Sequence, residues 1–375
     1  MAGARKRIGL LFGGRSAEHD VSRLSAANIL RALDPDRYDV IPIAITREGR
    51  WLLADPANGA GNGAGTGASS LEIPRDAPQI ALIPGGGGAF LILGGESHAP
   101  QPLGLDLVFP VLHGPNGEDG TIQGALELAR IPFIGSGVMG SAAAMDKDIA
   151  KRLLRESGVP VVPFLVATAQ TLPTYEDAAE TLGARDLFVK PANMGSSVGV
   201  SRARSEEEYH RACAQAFRYD IKLLVERSVA GAREIECSVL EYPSGELRAS
   251  PPGEIVPSDS HEFYSYKAKY IDPEGAGLRA PADLPPVLAL RVRALALKAF
   301  RALACEGLAR VDFFVTRDGV DGVFVNEVNT LPGFTAISMY PKLWEADGMK
   351  PEALMDILIA HALARHERRS ALAWE

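Results

Sequence analysis

The sequence predicts an α/β protein of more than one domain, and three stretches carry that expectation. Residues 7–12 (RIGLLF) close on Gly13-Gly14, a helical pattern follows, and Val40–Thr46 is strand-like again. Strand, glycine turn, helix, strand is the order of a parallel α/β unit. Between about 187 and 240 the pattern changes to four short strands around one helix. Near the C-terminus, ARVDFFV (309–315) and VFVNEVN (323–329) flank the turn-rich TRDGVDG and read as a strand pair.

Taken in order, Val21, Leu24, Ile29 and Leu33 recur at helical spacing after Ser16, and Asp34-Pro35 ends that helix. Residues 57–70 are low-complexity and are expected to be a mobile excursion. Gly85–Gly88 separates Ile80–Ile83 from Phe90–Leu93, which predicts a hairpin, and Leu105–Leu112 reads as a buried strand before HGPNGEDG. A helix is expected from Asp146 through Ile149, Leu153 and Leu154 to Gly158. Strands follow at Leu187–Lys190, Val198–Ser201, Leu223–Glu226 and Glu234–Leu240, with a helix at Ser205–Phe217. Residues 250–286 are rich in Pro, Gly and polar groups, include FYSYKAKY, and read as a long loop of the kind that works as a lid. A helix over Pro286–Ala304 precedes the strand pair, and a helical tail closes the chain. No internal repeat is visible, and the change of pattern sets a domain boundary near residue 143.

Composition narrows the function classes. The 375 residues carry 39 Lys and Arg against 47 Asp and Glu, a net charge of −8 without long like-charge blocks. That disfavours nucleic acid or an anionic membrane as the main partner. No segment reaches the ~20 apolar residues of a membrane span. Arg5, Lys6 and Arg7 precede an apolar run too short for a signal peptide. Three widely spaced cysteines (Cys213, Cys237, Cys305) form neither a disulfide framework nor a zinc spacing. A cytoplasmic protein is expected.

The strand pair carries the most chemistry. Arg310 and Asp312 lie two apart and share a face, as do Glu327 and Asn329. If the turn is centred between Gly319 and Val320, Asp312 stands opposite Glu327 and Arg310 opposite Asn329. Two carboxylates and an amide oxygen in one patch suit Mg²⁺ carrying a nucleotide; a solvated strand face is the plainer alternative. Lys190 ends a buried strand just before ANMGSSVGV, where charge, backbone N–H groups and hydroxyls could hold phosphate. Lys147 sits in a first helical turn, where the helix dipole disfavours a cation unless an anion is near. Neither the Walker pattern nor the G-x-G-x-x-G fingerprint occurs, so hydride chemistry has little support. Glu18 could bind a substrate ammonium at the sheet's C-terminal edge or be an ordinary acidic first-turn residue. His113 in HGPNGEDG is equally open between a structural and a binding role.

The ordered series GGRSAEHDVS, HGPNGEDGTIQG, GSGVMGSAAAMDK, FVKPANMGSSVGV, FYSYKAKY, ARVDFF and NEVNTLPGFT resembles the D-alanine–D-alanine ligases, a family of ATP-grasp enzymes. The match runs from about residue 7 to about 345. The resemblance implies a Rossmann-like parallel α/β domain (1–142) and two α+β domains (143–245 and 246–375, with a lid at about 258–280) that clasp ATP. It implies ATP-dependent joining of two D-alanines through a D-alanyl phosphate, supplying a peptidoglycan precursor. Carried over residue by residue, Glu18 binds the first D-alanine's ammonium, and Glu18, Ser196 and Tyr270 form a group that anchors the lid. Lys147, Lys190 and Lys269 contact ATP phosphates. Glu226 reads the adenine amino group, Val229 also contacts the nucleotide, and Glu234 takes the ribose. Asp312, Glu327 and Asn329 hold two Mg²⁺ ions, for which Mn²⁺ can substitute. Arg310 and the Gly333 backbone N–H stabilise the oxyanion, Ser338 and Met339 take the second carboxylate, and His113 joins the substrate site. A homodimer is implied as well.

One departure stands out. From Glu226 to Glu234 the chain reads ERSVAGARE, one residue longer than the family spacing, which leaves Glu236 as an alternative ribose contact. The glycine-rich inserts at 57–70 and 85–88 match nothing. Competing readings are another ATP-grasp carboxylate–amine ligase, a D-alanine–D-lactate ligase and a nucleotide-binding regulator without catalysis.

Overall fold

The computed structural model describes residues 4–55, 70–94, 99–257 and 276–373. The chain begins with β1 (Lys6–Gly13), α1 (His19–Ala32) and β2 (Tyr38–Ile45), with β1 and β2 parallel over their whole length. Next come β3 (Trp51–Leu53), β4 (Gln79–Leu82), β5 (Ala89–Leu93) and β6 (Gln101–Gly104), each antiparallel to the one before. Strand β7 (Leu107–Val111) then pairs in parallel with the free side of β1, giving the order β6-β5-β4-β3-β2-β1-β7. Parallel pairing is thus confined to β7, β1 and β2. The connections β2–β3, β4–β5 and β5–β6 are too brief for a crossover helix, so the chain can only double back.

Helices α2 (Thr121–Leu128) and α3 (Val138–Met145) lead to α4 (Lys147–Glu156). Helix α4 starts where expected because Asp146 caps it, its carboxylate accepting from the Asp148 and Ile149 N–H groups at 3.1 Å each. A second sheet comprises β8 (Phe164–Thr168), β9 (Leu187–Pro191), β10 (Ser201–Ala203) and β11 (Lys222–Arg227), ordered β10-β9-β11-β8 and antiparallel. Helices α5 (Tyr175–Leu182) and α6 (Glu206–Ala216) bury Tyr175 and Tyr209 against it. The strand expected at Val198–Ser201 begins at Ser201 instead. Ser196, Ser197 and Gly199 all take positive φ (51°, 59° and 74°), so the turn runs on for two more residues.

The third sheet holds β12 (Arg233–Glu241), β13 (Leu247–Ala249), β14 (Gly253–Pro257), β15 (Ala276–Arg279), β16 (Leu308–Val315) and β17 (Val323–Asn329). Its order is β15-β14-β12-β16-β17, with β13 on β12. Residues 250–286 are therefore not one loop: Ile255 is buried and pairs with both Glu234 and Leu278. Of the expected lid, 258–275 lies outside the described residues, as does most of 57–70. Helix α7 (Pro286–Ala302) covers one sheet face, packing Val292, Leu295, Ala299 and Phe300 against Cys237, Val311, Phe313 and Val325. The opposite face faces the second sheet. Helices α8 (Met339–Ala346) and α9 (Pro351–Ser370) complete the chain and pack back on α1. Among the described residues no helix is long and apolar enough to cross a membrane.

Candidate active site

Between the second and third sheets lies a cavity of about 500 Å³, lined by Lys147, Lys190, Glu226, Val229, Glu234 and Glu327 among others. Strand geometry explains how they meet. On β9 and β11, Lys190 and Glu226 turn to the same side, and the Lys190 ammonium lies 2.6 Å from Glu226 Oε2. Lys151, one turn after Lys147 on α4, reaches Glu226 from behind, 3.0 Å from Oε1. The three groups are 7%, 2% and 1% exposed for Lys190, Glu226 and Lys151, so this charge cluster is effectively dry. Burial works to raise the Glu226 pKa, but the two ammonium groups outweigh it and hold the carboxyl below its ordinary range. Lys147 donates to the Met194 carbonyl at 2.6 Å and stands 3.7 Å from Glu327 Oε2.

Away from the turn the strand pair has the expected register, Asp312 opposite Glu327 and Arg310 opposite Asn329, whereas beside the turn the pairing is shifted by one residue. Beyond that point Phe313 pairs with Val325, so Asn326 is an extra residue. This bulge turns two successive side chains, Asn326 and Glu327, into the cavity. Asn326 Oδ1 accepts from Lys190 at 3.2 Å. Arg310 grips Asp312 with two N–H donors at 2.7 Å each, and Asn329 Nδ2 donates to Asp312 at 3.0 Å. Arg310 Nε is also 3.0 Å from Glu236 Oε2. Two carboxylates and an amide on adjacent strands are a hard-oxygen donor set, which fits Mg²⁺ better than a softer metal. Among the described residues no group of three or more His, Cys, Asp or Glu is placed to hold a metal ion.

A smaller cavity, lined by Arg15, Ser16, Glu18, Arg47, Met194 and Gly195, adjoins the first through Met194. Glu18 precedes α1 and makes no helix-capping bond; its carboxylate accepts a short hydrogen bond from Ser196 Oγ. A Cβ at Gly195 would stand 2.8 Å from Glu18 Oε2, so a larger residue there would displace that carboxylate. His113 is buried with both ring nitrogens engaged, Nδ1 to the Leu331 carbonyl at 3.0 Å and Nε2 to Ser25 Oγ at 3.3 Å. A carbonyl only accepts, so Nδ1 carries the proton. Burial lowers the His113 pKa and keeps the ring neutral. Glu118 accepts from the Gly114 and Leu331 N–H groups at 2.9 and 3.0 Å. Lost hydration, then the charge of Glu18, push its carboxyl up to about 8.

With both cavities in view, comparison with known proteins is decisive. The sequence models of the D-ala D-ala ligase N-terminus and C-terminus match residues 7–136 and 153–360. The chain belongs to the D-alanine–D-alanine ligase family. D-alanine–D-alanine ligase B of Bradyrhizobium diazoefficiens is 61% identical over 98% of this chain and 96% of its own. D-alanine–D-alanine ligase A of Brucella suis is 46% identical over 97% and 99%. Among solved structures, the D-alanine–D-alanine ligase of Coxiella burnetii has a TM-score of 0.81 at 36% identity, covering 98% of this chain and 96% of that one. The VanG D-Ala:D-Ser ligase of Enterococcus faecalis has a TM-score of 0.79 at 32% identity, covering 96% and 100%. The fold is the ATP-grasp fold of this family, whose members are ATP-dependent, ADP-forming ligases in peptidoglycan precursor synthesis.

Within the ligase family frame, the remaining expected residues fall as follows. Gly333, in the turn after β17, approaches Ser338 so closely that a Cβ would stand 2.7 Å from its Oγ. Ser338 Oγ accepts from Thr335 N–H at 2.9 Å, and Met339 is the buried first residue of α8. Tyr270 and Lys269 lie outside the described residues. The longer stretch after Glu226 is absorbed in the 228–232 loop, where the Ala232 N–H bonds Val229 O at 3.2 Å. Glu234 and Glu236 consequently both keep the cavity face of β12. Sequence reasoning missed Lys151, Glu118 and Asn326. The i, i+4 spacing from Lys147 and the polar pair Asn326-Glu327, which breaks strand alternation, were the available signals for two of them.

Proposed function

We propose that the chain joins two D-alanines, using ATP, to give D-alanyl-D-alanine, ADP and phosphate. The observation that carries this reading is the pairing of two cavities: one walled by lysines and carboxylates, the other ending on Glu18 and joined to it by the Met194 loop.

In this reading Lys147, Lys190 and Lys269 hold the phosphates, Glu226 and Val229 meet the adenine, and Glu234 takes the ribose. Glu236, which meets Arg310, is the alternative ribose contact. Asp312, Glu327 and Asn329 would hold two Mg²⁺ ions, which supply charge neutralisation to the transferring phosphoryl group when bound. Glu18 receives the ammonium of the first D-alanine, and Ser196 fixes the carboxylate's direction. A carboxylate oxygen of that D-alanine takes the γ-phosphoryl group and ADP leaves. The neutral amine of the second D-alanine attacks the acyl carbon, and the tetrahedral oxyanion so formed faces Arg310 and the Gly333 N–H. The attacking nitrogen gives up a proton, and collapse expels phosphate and leaves the peptide bond. The second carboxylate meets Ser338 and Met339 at the N-terminus of α8, where the helix dipole favours an anion. His113, with both nitrogens engaged, acts by holding the 331–334 turn rather than by proton transfer. Tyr270 completes the group with Glu18 and Ser196, by resemblance. A cytoplasmic homodimer working with Mg²⁺ or Mn²⁺ belongs to the same proposal.

The test is phosphate release with ATP and Mg²⁺ across D-amino and D-hydroxy acids, with product analysis from equal D-alanine and D-lactate at neutral pH. Dipeptide as the main product is expected. Mostly ester would overturn the substrate assignment, and no phosphate release with any D-amino acid would overturn the reaction.

A further inference from the structure

Lys151 takes no part in the scheme above, yet it is 1% exposed and belongs to the charge cluster in which Glu226 meets Lys190. It lies four residues after Lys147 on α4, on the same helix face and one turn deeper. Lys147 lines the cavity and Lys151 does not. The deeper ammonium is 3.0 Å from Glu226 Oε1 and 5.7 Å from the centre of the Phe164 ring. Glu226 thus meets Lys151 through one oxygen and Lys190 through the other. Helix α4 is fixed in turn by Lys222, whose ammonium lies 2.6 Å from the capping Asp146.

Burying an ammonium is costly unless a charge answers it. Burial lowers the Lys151 pKa, and Glu226 opposes that shift. One carboxylate would neutralise one ammonium, and here it faces two. With Lys151 present, the cluster of Lys151, Glu226 and Lys190 carries one surplus positive charge; without it, Glu226 and Lys190 would cancel.

We propose that Lys151 is a positioning residue for ATP: by answering the charge of Glu226 from the buried side, it leaves the Lys190 ammonium electrostatically available to the phosphates. The proposal rests on the assignment of Lys190 to those phosphates.

The test compares binding of ATP and of AMP to the full chain with Mg²⁺ by calorimetric titration. Adenine is common to both ligands, so the ATP-to-AMP affinity ratio isolates the phosphate end. Lys190→Met should lower that ratio, and an unchanged ratio would remove the Lys190 assignment and this proposal with it. Lys151→Met should lower it by about tenfold, the effect of weakening one charged hydrogen bond. The double variant Lys151→Met/Glu226→Gln removes one charge of each sign and restores the surplus at Lys190. Its ratio should return to within about threefold of wild type, a recovery that a merely structural role for Lys151 does not give. A wild-type ratio in Lys151→Met, or a double variant as weak as the single one, overturns the proposal. Should Lys151→Met alone fail to fold, the double variant decides: a near wild-type ratio supports the proposal and a tenfold loss overturns it.

Discussion

The two ends of the active site are built by different means. At the nucleotide end, long ionic side chains on β9, β11, β16 and β17 line a gap between two sheets, and each sheet pairs its own charges, Lys190 with Glu226 on one and Arg310 with Asp312 on the other. At the amino-acid end the work is done by turns: Ser196 at positive φ aims its hydroxyl at Glu18, and backbone N–H groups of Gly114 and Leu331 bind Glu118. Charge acts over a distance and survives small displacements, whereas turn geometry is short-ranged. Substitutions at the first end should therefore change chemistry while sparing the fold, and those at the second should touch substrate affinity and stability together.

The largest expected effect is at Asp312. Asp312→Asn leaves Arg310 and Asn329 without their anionic partner, and turnover at saturating Mg²⁺ should fall by at least about a hundredfold. The melting temperature should stay within a few degrees; near wild-type turnover would break the nucleotide-end account. Lys190→Ala comes next, weakening ATP at least about tenfold for the loss of one charged contact, with little change in KM for D-alanine. At the other end, Ser196→Ala should raise KM for D-alanine by about three- to tenfold and leave KM for ATP alone. An equal rise in both constants would erase the distinction between the two ends.

The effect at Glu118, on stability and not on turnover, sharpens the comparison through pH. Its folded value near 8 lies above the ordinary 4.5, so between those values the folded chain keeps a proton that the unfolded chain has lost. This group's contribution therefore favours folding below about 4.5 and declines as pH rises towards 8. Glu118→Gln should flatten the fall in chemical-denaturation stability across that window. It should also lower the plateau by about 1–3 kcal/mol, because an amide has one acceptor for two N–H groups. A pH profile identical to wild type would sink this reading.

The same contrast explains what could be read in the sequence. Spacing by two puts Arg310 with Asp312, and Glu327 with Asn329, on shared faces without any knowledge of their partners, so these four and their facing pairs were legible, whereas the one-residue shift next to the turn, where the bulge at Asn326 breaks the alternation, was not. The helix at Asp146 was legible because its cap is local. Glu18 was not decidable, since its partner Ser196 is brought to it by the fold from 178 residues away. Lys151 read as one more polar helix residue, because its burial depends on a sheet formed later in the chain. Strands β14 and β15 hid within a stretch whose Pro and Gly content suggested a loop.

The bulge in β17 carries one more consequence. Asp312 pairs with Glu327 and Phe313 with Val325, so Asn326 alone has no counterpart on the neighbouring strand. Removing a residue from the interior of that strand, other than Asn326 or its same-side neighbour Glu327, would send part of its sequence to the wrong side of the sheet. Deleting Asn326 would instead join two runs already in phase, with Val325 and Val328 still inward and Glu327 and Asn329 still outward. The strand thus has one position where its length can change by a single residue without scrambling the site, and the loss there is one amide contact to Lys190.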